Sequence, residues 1–166
     1  NDWVWLWIQL DPMDHQFVHV IGEHRFKLRD TEDIARTEFK DHPLTQKLVA
    51  IYVDPAAPDD ASILRRHLGV PTRANTGGEL KLRLRLIRSA LKLRPEYLPE
   101  DHPDRKPGLV VDRKCHALIW EMREGYRWPE SHSDLRNASE LPLDNDNHGP
   151  EALGRFFKGH MEQYST

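Results

Sequence analysis

The run Trp3-Val4-Trp5-Leu6-Trp7-Ile8-Gln9-Leu10 constrains this chain more than any other feature. Successive side chains of a strand point to opposite faces. A run that is apolar at odd and even positions alike, and rich in aromatic and β-branched residues, must be covered on both faces, as a strand in the middle of a sheet is. Trp3, Trp5 and Trp7 fall on one face, which assigns them to packing rather than to a base-stacking platform. No stretch approaches the ~20 apolar residues that cross a bilayer. The run also lacks a basic leader and a small-residue cleavage site, so neither a membrane span nor a signal peptide is expected. Because the chain enters it almost directly from Asn1, we expect a piece of a longer protein.

After the turn Asp11-Pro12-Met13-Asp14, Phe17–Ile21 reads as a partner strand and Arg25–Leu28, beyond Gly22, as a third, giving an antiparallel meander. Thr31 ahead of Glu32 and Asp33 predicts an N-cap and a short helix ending near Asp41-His42-Pro43. Leu48–Val53 is a continuous apolar run that stops at Asp54-Pro55. A helix begins at Pro58, carries Ile63, Leu64 and Leu68, and is closed by Gly69. Strand, loop and helix in that order make an α/β unit. Val70–Ala74 reads as a short strand, and Glu79–Leu93 as a long helix with Leu80, Leu84, Ile87 and Leu91 on one face. Pro95–Pro107 reads as a surface loop, Leu109–Val111 as a buried strand, Arg113–Glu124 as a helix and Gly125–Asn147 as a long loop, with a final helix from near Pro150. The expected fold class is α/β, a mixed sheet with three antiparallel strands first and parallel strands after, flanked by helices.

Charge and cysteine content narrow the function. With 24 Lys and Arg against 27 Asp and Glu, the net charge is -3, which excludes a protein whose whole surface binds phosphate and leaves room for a local basic patch. Lys81, Arg85, Arg88 and Lys92 form such a stripe on the long helix. It reads either as a solvated face or as a contact for a DNA backbone. Cys115 is the single cysteine, so there is no internal disulfide and no zinc-binding pair, and a reducing, cytoplasmic setting is expected. Without an activating base nearby it is a poor nucleophile. Thr76-Gly77-Gly78-Glu79-Leu80-Lys81 has the wrong spacing for a phosphate-cradling loop, so the chain is not itself an ATPase.

Acidic residues are placed more suggestively. Asp54 stands at the C-terminal end of the expected central strand, where open α/β sheets bind ligands; otherwise Asp54-Pro55 only starts a turn. Asp144, Asp146, His148 and Glu151 gather at the mouth of the last helix, where the alternative is helix capping by Asp146 or Asn147. Carboxylates from separated elements suit Mg²⁺ or Mn²⁺, hard cations that take oxygen ligands and serve phosphodiester cleavage.

Val53-Asp54-Pro55-Ala56-Ala57-Pro58, with the helix after it and Gly69, resembles the second acidic motif of the C-terminal nuclease domain of tailed-bacteriophage terminase large subunits. Cys115–Glu121, with Tyr126-Arg127-Trp128 after it, is similar to that family's late helix and aromatic segment. Asp144-Asn145-Asp146-Asn147-His148-Gly149-Pro150-Glu151-Ala152-Leu153 is similar to its closing Asp-Asp-His-Gly-Pro-Asp-Ala-Leu motif. The resemblance covers roughly residues 3–160 and implies an RNase H-like fold over 1–166 as one domain. It also implies two divalent ions, Mg²⁺ or Mn²⁺, that cut concatemeric double-stranded viral DNA. By resemblance, Asp54 and Asp146 hold metal, His148 and Glu151 flank the site, and Asp144 is a further ligand. Lys81, Arg85, Arg88 and Lys92 would then lie against DNA. The family's partners are the portal and the small terminase subunit, its setting the host cytoplasm, and the isolated domain is expected to be monomeric.

Two departures shape the expectation. The family's opening Asp-x-Gly would precede Asn1, as would the ATPase domain with its Walker motif, and Asp2 is a weak substitute. Asn147 and Glu151 stand where the family usually has aspartates. Fewer or displaced carboxylates neutralise a cation less well, so this fragment is expected to bind metal weakly and to cut slowly or not at all. The competing readings are a nuclease-like domain without activity that binds DNA or the portal, and another RNase H-like nuclease or resolvase.

Overall fold

A computed structural model describes residues 2–74, 78–125 and 148–164. The first apolar run forms one side of a long hairpin: β1 (Asp2–Leu10) lies antiparallel to β2 (Val18–Lys27). The expected three-strand meander is therefore corrected to two strands. Gly22 does not break the chain. It sits opposite Trp7, and a Cβ there would lie 3.1 Å from Trp7 Cδ1, so glycine makes room for the indole. The register then shifts between Trp7 and Ile8, so that Ile21 is the extra residue of a β-bulge. β7 (Leu109–Val111) adds parallel to β2. The sheet order is β1-β2-β7, so β2 and not β1 is the middle strand among the described residues.

The second apolar run is more truncated than its hydrophobicity suggests. β3 covers only Ile51–Tyr52, pairs parallel with β4 (Thr72–Arg73), and forms a sheet separate from the first. Val49 is 80% exposed. The strand preceding Asp54 is thus not the centre of the main sheet, which corrects the expected placement. α2 (Pro58–Leu68) forms as expected, with Pro58 in its first turn and Gly69 closing it in the left-handed conformation at φ 67°. α1 (Thr31–Ile34) continues into a π-helical turn over Ala35–Phe39. Its cap is Asp30, whose carboxylate accepts the Asp33 N–H at 2.8 Å. Thr31, read from sequence as the cap, is instead buried, and its hydroxyl donates to Asp60 Oδ1 at 2.7 Å.

α3 (Leu80–Ala90) ends sooner than its periodicity predicted, and Leu91 beyond it is exposed. The small strand β5 (Leu93–Arg94) precedes the expected loop and pairs antiparallel with β6 (Lys106–Pro107) at the loop's end. α4 (His116–Trp120) runs into a π-helical turn over Glu121–Gly125, and α5 spans His148–Tyr164.

Two apolar layers sandwich the hairpin, one on each face. On one face Trp5, Trp7, Ile51, Val53 and the buried side chains of α1, α2 and the turn after α1 pack together. On the other, Val18, Val20, Leu109, Leu118 and Ile87 meet Leu153, Phe156 and Phe157 of α5. The helices of the first layer are α1 and α2; those of the second are α3, α4 and α5. Trp5 and Trp7 are buried and Trp3 is partly so, as their common face predicted.

Two histidines sit inside these layers. Burial lowers the pKa of His24, and His42 beside it lowers it further against Glu38 and Glu23. Burial likewise lowers His160, helped by His15 and Arg73. Each is neutral in the folded chain more readily than in the unfolded one, so the unfolded state gains protons first as pH falls below the ordinary histidine value of 6.5. Thermal stability is expected to decline from about pH 7 towards pH 5. Melting curves of the chain and of a His24→Gln variant check this, the variant showing a shallower decline.

Candidate functional site

Asp54 lies just after β3, at the start of the turn into α2. Its Oδ1 accepts the Ala56 N–H at 2.9 Å, and its backbone carbonyl accepts the Ala57 N–H at 3.0 Å, so the turn that the sequence allowed is present. The other oxygen faces a different element: Oδ2 lies 3.4 Å from Arg155 Nη2 on α5. The carboxylate is about half exposed, its side chain keeping 45% of its surface, while that of Arg155 keeps 18%. The β3 terminus and the last helix, far apart in sequence, are therefore brought together.

His148 opens α5, and its Nε2 lies 3.3 Å from Asp2 Oδ2 at the start of β1. His148, Glu151 and Arg155 recur at helical spacing along one side of α5. Two turns, about 10 Å of helix, separate the His148 end from the Asp54 end. Glu151 is partly buried between them. Asp144 and Asp146 lie outside the described residues, as do Asn147 and the Tyr126-Arg127-Trp128 segment.

The N-terminal end of α5 is bordered by charged groups on β2 and on the turn after α4. Arg25 pairs with Glu121 and with Glu23, the latter at 3.2 Å. Burial works against the charge of Arg25, but the hydrogen bond and opposite charge of Glu121, joined by Glu23, outweigh it and raise its pKa. Glu23 accepts the Ala117 and Leu118 N–H groups at 2.8 and 3.1 Å, and so caps α4. Cys115 is fully buried, and burial pushes its thiol up, with Glu23 and Asp112 adding to the effect. This agrees with its exclusion as a nucleophile.

The basic stripe is placed as its spacing predicted. Lys81, Arg85 and Arg88 are exposed on α3, and Lys92 is exposed just past its end. Leu84, Ile87 and Ala90 are buried on the opposite side. α3 packs on α5, where the stem of Arg83 lies over Gly154: a Cβ on that glycine would be 3.0 Å from Arg83 Cβ.

Hard oxygen donors are the chemistry that a divalent cation needs, and Asp54 offers a solvent-accessible carboxylate of that kind. No group of three or more His, Cys, Asp or Glu that could hold an ion occurs among the described residues. The described partner that faces Asp54 is a cation, Arg155, 3.4 Å away on α5. Sequence reasoning missed Arg25, Glu23, Glu121 and Arg155. Their pairings join residues distant along the chain, which leave no local pattern. Among the described residues, no helix is long and apolar enough to cross a membrane. Comparison with known proteins gives no match among family models, curated proteins or solved structures.

Proposed function

We propose that the chain is a metal-dependent endonuclease domain of the terminase type, RNase H-like in fold, acting on double-stranded DNA. The observation that carries this reading is the meeting of Asp54 with α5. The acidic residue of one motif lies against Arg155 on the helix that opens with the closing motif. Asp54 and Asp146 would hold Mg²⁺ or Mn²⁺, with Asp144 and Glu151 as further oxygen donors and His148 beside them. Bound divalent ions would lower the pKa of a water and stabilise charge on a scissile phosphate. Arg155 has to yield Asp54 when a cation arrives. Until then its guanidinium orients the carboxylate.

The exposed cations of α3 would meet the DNA backbone. Each phosphate that the protein neutralises adds about one unit to the steepness of log affinity against log salt. Replacing Arg85, Arg88 and Lys92 by alanine is expected to lower that slope by about 2 to 3. Fluorescence anisotropy with labelled duplex at several salt concentrations measures it, and an unchanged slope would assign the stripe to solvent.

The portal and the small terminase subunit as partners, the host cytoplasm as setting and a monomeric isolated domain belong to the same proposal. Incubation with supercoiled plasmid and Mn²⁺ tests the reading: nicked and linear products that EDTA suppresses are expected. A chain that retards plasmid and never cuts it would be a binding module instead.

A further inference from the structure

β1 occupies a place that its own sequence does not fit. Trp3–Leu10 is apolar at odd and even positions alike, the pattern of a strand covered on both faces in the middle of a sheet. Among the described residues it is hydrogen-bonded along one side only, by β2. The difference shows in the side chains. Ile8 lies opposite Val20 and Leu10 opposite Val18, so each pair shares one face of the sheet. Val20 and Val18, on a strand with neighbours to both sides, are 0% and 4% exposed, whereas Ile8 and Leu10, like Val4 and Leu6, are only partly buried.

The outer edge of β1 is not blunted in the ways that keep edges from pairing. The strand holds no Lys, Arg or Pro, Asp2 is its sole charge, and the bulge of the hairpin lies on β2. The apolar layers also run on to β3. Ile51 and Val53 join the tryptophan layer, Tyr52 joins the other, and α5 packs on both β1 and β3. No ladder joins the two strands. Apolar cover thus extends over both faces from β1 to β3, while the hydrogen bonding stops at β1.

We propose that the outer edge of β1 is a strand-acceptor site, taken by one extended segment of polypeptide that these 166 residues do not contain and that is apolar on both faces. Alternate residues of β1 present N–H and C=O groups away from β2, and the layers above and below supply apolar contact. These are the two components of recognition by strand addition. A proline-rich segment would lose the first and a highly charged one the second. A second copy of this chain fits the edge poorly, because its β1 arrives with two covering layers of its own and must pass α5. The assignment does not depend on whether the chain cuts DNA.

The probe is a short synthetic peptide of valine, isoleucine and threonine with a lysine at each end, and the control peptide carries a proline at its centre. In the free chain, the N–H groups of β1 that point away from β2 should exchange fast. With free peptide at about a hundredfold its Kd, their exchange should slow by about a hundredfold and Tm should rise by about 5 °C. The proline peptide should do neither. No protection of β1 at any soluble peptide concentration would overturn the proposal, as would equal protection by the proline peptide. Outward N–H groups that already exchange slowly in the dilute free chain would show the edge to be filled, and overturn it too. So would protection that appears without peptide and grows with protein concentration, because it would give the edge to a second copy.

Discussion

Asp54→Ala is expected to remove metal-dependent cleavage by about a thousandfold while leaving the fold in place. Loss of an outer partner of a metal ligand costs about 10- to 100-fold, and removal of the ligand itself withdraws both the charge that holds the ion and the ion's stabilisation of the reacting phosphate. The structural cost is small. Asp54 is half exposed, and it contributes a turn hydrogen bond to Ala56 and a pair with Arg155. Together these amount to about 1 kcal/mol. Plasmid cleavage rates beside a thermal melt separate the two effects. A large loss of rate with a shift in Tm of only a few degrees is the expected pattern. DNA binding should survive or improve, because the substitution removes a negative charge that would repel DNA phosphates.

Phe39→Ala carries the largest expected effect on stability. Phe39 is fully buried at the end of the π-helical turn after α1. Its ring lies at the centre of the aromatic layer, stacked on Trp5 with centroids 4.2 Å apart, and it also meets Trp3, Trp7, His24 and Phe26. Emptying this position leaves a cavity walled by large rigid rings, which cannot collapse to fill it. The cost should fall in the usual range for such truncations, about 3 to 5 kcal/mol. For a chain of this length that lowers Tm by on the order of 10 °C. Urea unfolding monitored by tryptophan fluorescence reads the loss directly, because Trp3, Trp5 and Trp7 share the layer. Phe39→Leu, which keeps most of the volume, should recover more than half of it.

The aromatic layer was the most legible part of the sequence. Alternation put Trp3, Trp5 and Trp7 on one face, and the fold buries that face. Gly69 as a helix stop and Leu109–Val111 as a strand were equally readable, because each signal is local. The misreadings have a common physical cause, in that tertiary contacts decided them. Gly22 looks like a chain break until Trp7 is seen to lie across it. Leu48–Val53 looks like a full central strand, yet only two residues find a parallel partner in β4, and Val49 is left exposed. Asp30 and Thr31 are both good caps by type. Asp60 draws the threonine hydroxyl away, and Asp30 caps α1.

Sequence alone pointed to acids, while the cations that the fold pairs with acids were hidden. Asp54 and the His148–Glu151 segment could be singled out from residue type and position. Arg155, which neutralises Asp54, and Arg25, which borders the start of α5, are ordinary surface-type residues in sequence. Only the fold gives them partners. Gly149 is a similar case. Its constraint is the close approach of Arg25, Glu121 and Leu118, residues far away along the chain.

On the proposed nuclease reading, Asp54 and the opening of α5 share a divalent ion. Titrating the ¹⁵N-labelled chain with Mn²⁺ and monitoring its amide resonances tests that claim most directly, because a paramagnetic ion broadens the signals nearest to it. Amides of residues 54–57 and 148–151 are predicted to broaden together at the lowest Mn²⁺ concentrations, recover with EDTA, and lose this response in Asp54→Ala. Broadening confined to other parts of the chain, or at only one of these two segments, would contradict it.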